Sequence, residues 1–243
     1  MKTVKPTGPD TRIGGASAKF PATRRSAVLA SCSTEPQERR QALEKIGAAY
    51  WKPVYKFIRM RWSLSNEDAK DLTQAFFARA IEKEYFKVYR ADKGSFRTFV
   101  RTCVSHFVVN ESKHANRLKR GGAAERISLE ETEEPAAVDL EEVFEKEWIR
   151  NLFELAVEDL REVCVSRDKQ RHFGIFERYD LQHTDLSYAE LASEFGIAVT
   201  DVTNYLAWCR REFRRLILER IRQITANDEE FRREARVVLG KNV

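Results

Sequence analysis

The sequence predicts an all-α protein with two small helical domains joined by an acidic linker. Apolar residues recur at helical spacing along most of the chain, whereas the alternation typical of strands is almost absent. Glycine and proline are scarce, at 10 and 6 of 243 residues. Near the middle, a segment with Gly-Gly, a proline and many acids interrupts the helical pattern, which favours a domain boundary there.

This pattern divides the chain into five parts. Residues 1–40 have no periodic apolar pattern and carry eight Lys or Arg against three acids, so we expect a disordered basic tail. Residues 41–120 and 144–225 are the two predicted helical domains, and residues 121–143 are the acidic linker. Residues 226–243 form a C-terminal extension with one further short helix.

The first predicted domain contains three helical segments. Pro53 interrupts the first of them, which predicts two short helices or one bent helix. Ser65 and Ser95 are suitable N-caps for the second and third. On the third helix we expect an exposed basic side formed by Arg97, Arg101, Lys113 and Arg117.

The second predicted domain has helices around residues 144–157 and 164–179, followed by a helix-turn-helix pattern. Ser187 and Glu190 have the spacing of a capping box, and Gly196 favours a tight left-handed turn. This geometry would present short polar side chains to base edges and arginines to phosphates. An ordinary helical hairpin with a solvated basic face fits the same pattern, and the segment alone leaves both open.

Charge is distributed in blocks. Residues 87–120 carry nine Lys or Arg against two acids, residues 125–147 carry ten acids against two basic residues, and residues 205–224 carry six basic residues against two acids. Two basic blocks therefore flank an acidic one, which favours an anionic partner.

The sequence lacks the marks of several other protein classes. The four cysteines and four histidines have no metal-ligand spacing, so we expect neither a metal nor a cofactor. There is no nucleophile elbow or phosphate loop, which argues against an enzyme. Because no apolar run approaches the roughly 20 residues that span a bilayer, we expect a cytoplasmic protein without membrane insertion.

Three stretches together resemble the second and fourth conserved regions of bacterial sigma factors, closest to the compact extracytoplasmic-function (ECF) type. They are NEDAKDLTQAFFARAIEK, KGSFRTFVRTCVSHFVVNESKHANRLKRGG and LSYAELASEFGIAVTDVTNYLAWCRREFRRLI. The resemblance covers roughly residues 42–224, and its parts stand in the family's order. It implies a promoter-specificity subunit that binds core RNA polymerase, recognises promoter DNA and melts the minus-ten element.

The resemblance also implies roles for particular residues. Binding to the clamp helices of the largest polymerase subunit falls on Asp71, Leu72, Gln74 and Phe77. Capture of the minus-ten strand falls on Lys93, Ser95, Arg97, Arg101, His106, Asn110, Lys113 and Arg117. Recognition of the minus-thirty-five element falls on Thr200, Thr203, Asn204, Arg210, Arg211 and Arg214.

The chain departs from the family pattern at two places, and alternatives remain. Ala75 stands where the family usually has glutamate, on the helix that the resemblance assigns to polymerase binding. Ala198 stands at the cap of the recognition helix, and Asp201 and Asn204 stand at its exposed start, so promoter preference does not transfer. The leading alternative is a stand-alone helix-turn-helix regulator, and a nuclease or other hydrolase is the third hypothesis. An anti-sigma protein is a further partner that the resemblance leaves open.

Overall fold

The computed structural model describes residues 26–119, 140–182 and 185–240, with the backbone alone for 114–119. Over these residues the chain is all-α, as predicted. Two 3-10 turns, Tyr85–Val88 and Ala91–Lys93, and one π turn, Glu177–Leu181, accompany the α-helices. These helices are α1 (Ala27–Ala30), α2 (Pro36–Arg61), α3 (Asn66–Glu82), α4 (Phe96–Lys119), α5 (Leu140–Ser166), α6 (Gln170–Phe176), α7 (Tyr188–Phe195), α8 (Val199–Gln223) and α9 (Asp228–Leu239).

The expected disordered tail is wrong for residues 26–40. Ser26 caps α1, whose residues Ala27 and Val28 are buried against α2, and Pro36 opens α2 at a position where its missing N–H costs nothing. A four-residue helix is too short for periodicity to detect, and it is stable only through packing. Residues 1–25 and most of the predicted linker lie outside the described residues, so the division into domains stays a prediction.

Helix α2 runs without interruption through Pro53, which is buried. A proline inside a helix leaves the carbonyl four residues earlier without its N–H partner, and here that carbonyl belongs to Ala49. The side-chain amide of Asn151, from α5, donates to the Ala49 carbonyl at 3.0 Å and to the Ala48 carbonyl at 2.9 Å. The tertiary structure therefore supplies the donor that the proline removes.

Helix α5 joins the two halves of the described chain. Its first turns pack on α2, where Phe144 meets Phe57 edge-on at 5.6 Å and Glu154 accepts from Lys52 at 2.6 Å. Its later turns pack against α6 and α8. The predicted second helix beginning near Cys164 is wrong, because α5 continues to Ser166 and α6 begins only at Gln170.

Within the described residues, no helix is both long enough and apolar enough to cross a membrane.

Candidate nucleic-acid and polymerase interfaces

The predicted capping box at the start of α7 is confirmed. The Ser187 hydroxyl accepts from the backbone N–H of Glu190 at 3.2 Å, and the Ser187 N–H donates to the Glu190 carboxylate at 2.7 Å. These two bonds satisfy amide donors that a helix start leaves unpaired. The bonds from Ser187 to the carboxylate also hold the pKa of Glu190 below its ordinary value.

The turn between α7 and α8 is built around Gly196. Its φ of 62° and ψ of 45° lie in the left-handed region. The N–H of Ile197 donates to the Ala192 carbonyl at 3.0 Å, and the N–H of Gly196 donates to the Ser193 carbonyl at 3.3 Å. This is a Schellman ending, which closes α7 and lets α8 begin three residues later.

Helix α8 has one buried and one exposed side in its first turns. Val202 and Leu206 are fully buried, whereas Thr200, Thr203 and Asn204 are exposed. The three exposed side chains lie on adjacent positions of the helical surface because they are spaced by one, three and four residues. The predicted base-contacting residues therefore form one accessible polar patch.

Of the three α8 arginines in the predicted minus-thirty-five set, Arg210 is bound to the π turn that precedes α7. Arg210 forms two bonds with the Asp180 carboxylate, at 2.9 Å from Nε and 2.8 Å from Nη2. These bonds raise the pKa of Arg210 above its ordinary value and hold its guanidinium against Asp180. Arg211 and Arg214 are exposed farther along the same helix.

The predicted polymerase-binding residues lie on α3, but not all on one side. Ser65 caps this helix by accepting from the Asp68 N–H at 3.1 Å. Asp71 and Gln74 are exposed one turn apart and share a side. Leu72, two residues from Gln74, packs against the core instead, so it supports the helix rather than extending the exposed side.

An aromatic pair extends the exposed side of α3. Phe77 is partly buried and stacks on Trp51 of α2, with ring centroids 5.6 Å apart and an angle of 21° between the planes. Trp51 is 39% exposed. Sequence reasoning missed Trp51, because periodicity along α3 cannot show which residue of another helix lies beside Phe77.

The segment before α4 has the predicted cap. The Ser95 hydroxyl accepts from the Thr98 N–H at 3.2 Å, and Ser95 itself is buried. Lys93 is exposed in the preceding 3-10 turn. Of these two predicted minus-ten residues, Lys93 is accessible and Ser95 shapes the helix start.

Arg97 and Arg101 are covered, which corrects the expectation that they lie on an exposed side of α4. The Arg97 guanidinium sits 4.8 Å above the Trp148 ring and 3.0 Å from the Glu145 carboxylate, and its side chain is 13% exposed. Arg101 pairs with Glu141. Both acids belong to α5, so the packing of α5 decides an exposure that the α4 sequence could not reveal.

The remaining minus-ten residues lie on a different side of α4. His106 is nine residues after Arg97, about 2.5 turns, which places it on the opposite side of the helix. His106, Asn110 and Lys113 are all exposed. The side chain of Arg117 lies outside the described residues. The structure therefore separates the predicted minus-ten set into a covered pair and an exposed group.

Within the described ranges, no cluster of three His, Cys, Asp or Glu side chains could hold a metal ion. The candidate residues lie on three surfaces: an acidic, amide and aromatic side on α3, basic and polar positions around α4, and a polar patch with flanking arginines on α8.

Comparison with known families identifies the chain. A model described as ECF sigma factor matches residues 53–218, which is more than half of the chain and includes α3, α4 and the helix-turn-helix. Comparison with curated proteins and with solved structures finds no match. Sigma factors are non-enzymatic proteins that work with RNA polymerase and promoter DNA. The chain therefore belongs to the ECF sigma factor family and acts in transcription initiation.

Proposed function

We propose that this sigma factor holds core polymerase through the exposed side of α3 and directs it to promoters that have two recognised elements. The polar patch of α8 contacts base edges of the minus-thirty-five element, with Arg211 and Arg214 on flanking phosphates. Residues around α4 capture the melted minus-ten strand. Binding energy alone drives the melting, since unstacking a base costs a few kcal/mol that phosphate contacts and a base pocket offset.

The observation that carries this proposal is the presence, in one chain of this family, of two separate exposed surfaces. A stand-alone regulator needs only the helix-turn-helix. A stand-alone regulator does not require a second binding surface such as the side of α3 where Asp71 and Gln74 lie beside the stacked rings of Phe77 and Trp51. An exposed aromatic next to charged and amide groups is typical of a protein-binding surface.

The test is co-elution of the full chain with sigma-free core polymerase on a sizing column. The double variant Asp71→Ala, Gln74→Ala removes two exposed side chains one turn apart on α3. Its matched control, Gln41→Ala, Glu44→Ala, removes an amide and an acid with the same spacing from the exposed start of α2. We expect the control to co-elute like wild type and the α3 variant to lose most of its binding, by about tenfold or more in affinity.

Either of two results would contradict the proposal. If wild type binds duplex DNA but not core polymerase, the chain is a stand-alone helix-turn-helix regulator. If both double variants bind core as wild type does, the polymerase contact lies elsewhere than on α3.

A further inference from the structure

The strongest feature that the proposed function does not use is a buried contact between α9 and the start of α4. Glu230, the third residue of α9, is 1% exposed. One of its carboxylate oxygens accepts from the backbone N–H of Phe96 and from the hydroxyl of Tyr89, both at 2.7 Å. The other oxygen accepts from the N–H of Ala226, also at 2.7 Å.

The position of this carboxylate is one that suits a phosphate. Phe96 is the first residue of α4, so its N–H has no partner inside the helix and lies at the positive end of the helix dipole. The Tyr89 hydroxyl adds a second donor. Burial, and then the bond to Glu230, raise the pKa of Tyr89, so the hydroxyl keeps its proton and remains a donor. Glu230 thus places a negative charge at the positive end of α4, where two donors meet it.

A second carboxylate of α9 covers the neighbouring arginine. Glu234 lies one turn after Glu230, is 2% exposed, and brings Oε2 to 3.3 Å from Nε of Arg97. Together with Glu145 and Trp148 of α5, it encloses the Arg97 guanidinium. Three groups from two other helices therefore surround a cation to which the family resemblance assigns a role in capturing the minus-ten strand.

The enclosure of Arg97 is incomplete in its hydrogen bonding. Nη1 of Arg97 and Oε2 of Glu234 are buried within ion-pair distance of opposite charges, yet neither makes a hydrogen bond of favourable geometry with a described residue. Burial also raises the pKa of Glu234, which means that the charged carboxylate is poorly solvated there. Buried charges that lack well-aligned hydrogen bonds stabilise an ion pair less than their opposite signs suggest. The Arg97–Glu234 pair is therefore weak enough to separate if α9 moves away from α4.

We propose that α9 is an intramolecular inhibitor of promoter binding. The Glu230 and Glu234 carboxylates stand in for DNA phosphates at the start of α4 and on one side of Arg97, whose other side is covered by Glu145 and Trp148 of α5. Promoter DNA engages the positions that α9 occupies only after α9 has left. This inference rests on the proposed minus-ten role of the α4 segment. In this proposal the exposed side of α3 and the α8 patch stay accessible while α9 is bound, so polymerase binding and minus-thirty-five contacts can form first.

The test compares two full-length variants that each remove two negative charges from α9. Glu230→Gln with Glu234→Gln alters the buried pair, and Asp228→Asn with Glu229→Gln alters two exposed acids of the same helix. A carboxamide at 230 has one acceptor oxygen where three donors converge, so the contact to Phe96 and Tyr89 weakens. The readout is fluorescence anisotropy of a labelled promoter fragment, melted across its minus-ten element, with core polymerase present.

We expect the buried-pair variant to bind this DNA about tenfold more tightly than wild type, and the exposed-pair variant to stay within about twofold of wild type. Circular dichroism must show that neither variant loses more helix than the 12 residues of α9 contribute. Hydrogen exchange on unaltered protein gives an independent readout, because amides of residues 228–239 should exchange faster when core and promoter DNA are bound.

The outcomes separate this inference from the proposed function. If wild type and both variants fail to bind promoter DNA with core present, the proposed function is wrong, and the inhibitory role of α9 is then wrong as well. If wild type binds while the buried-pair variant binds no more tightly, or α9 exchange does not change on engagement, the inhibitory contact alone is wrong. An equal gain in both variants would assign the effect to net charge rather than to the buried contact.

Discussion

Two glycines of the chain, Gly196 and Gly47, differ in backbone conformation although neither is crowded. Gly196 has a φ that L side chains adopt only with strain, although nothing lies within 4 Å of the place where a Cβ would stand. Gly47, inside α2, also has open space around it but has ordinary helical backbone. The two glycines therefore separate backbone conformation from steric crowding.

We expect opposite results from the two alanine substitutions. Gly196→Ala should destabilise the chain by about 1–2 kcal/mol, because alanine adopts the left-handed conformation of the turn before the recognition helix only with strain. Gly47→Ala should stabilise it by about 0.5–1 kcal/mol, because alanine lowers the backbone entropy lost in a helix interior. Urea unfolding at equilibrium measures both, and a stabilising effect at Gly196 would contradict the turn geometry.

At the scale of elements, α2 and α5 depend on each other through one side chain. Pro53 leaves the Ala49 carbonyl without a helical donor, and Asn151 supplies one at 3.0 Å from a site that is 3% exposed. From the sequence of α2 alone, Pro53 predicts two short helices or one bent helix, and the structure has one helix from Pro36 to Arg61. The packing of α5 allows the unbroken helix by satisfying the carbonyl from outside.

A double-mutant cycle tests this dependence. Asn151→Ala should destabilise the chain by about 1–3 kcal/mol, because it leaves a buried carbonyl without a donor. In a Pro53→Ala background, the new alanine has a backbone N–H that can donate to the Ala49 carbonyl, so the same Asn151→Ala change should cost measurably less. Urea unfolding of the four proteins yields the coupling free energy, and a coupling near zero would show that Asn151 does not compensate for the proline.

For the molecule as a whole, α5 makes the two halves one packed unit in the described structure. Its apolar residues Phe144 and Leu160 are buried at opposite ends of the helix, the first against α2 and the second in the half that contains α6 and α8. Two basic residues of α4 meet acids of other helices: Arg97 pairs with Glu145 of α5 and Glu234 of α9, and Arg101 pairs with Glu141 of α5.

This packing predicts one cooperative thermal transition in the absence of polymerase and DNA. Unfolding one half would expose the apolar side of α5 to water, which couples the halves. Differential scanning calorimetry should give a single peak whose calorimetric and van't Hoff enthalpies agree. Two resolved transitions would instead support the two independent domains that the sequence predicts at residues 41–120 and 144–225.

The sequence by itself determined the all-α class, the caps at Ser65, Ser95 and Ser187, the turn at Gly196 and the exposed polar patch of α8. These features depend on contacts within a few residues along the chain, so spacing and residue type are enough to predict them. The family resemblance also followed from the sequence, because its motifs lie within single helices.

Only the tertiary structure decided which basic residues of α4 are accessible, and that Trp51 extends the side of α3. It likewise decided the unbroken course of α2 and the burial of Glu230 and Glu234 against the start of α4. Each of these depends on a partner that is distant along the chain, such as Asn151 for Pro53 and the acids of α5 and α9 for Arg97. Periodicity shows which side of a helix is apolar and will be buried. Which element covers that side depends on packing and charge in three dimensions.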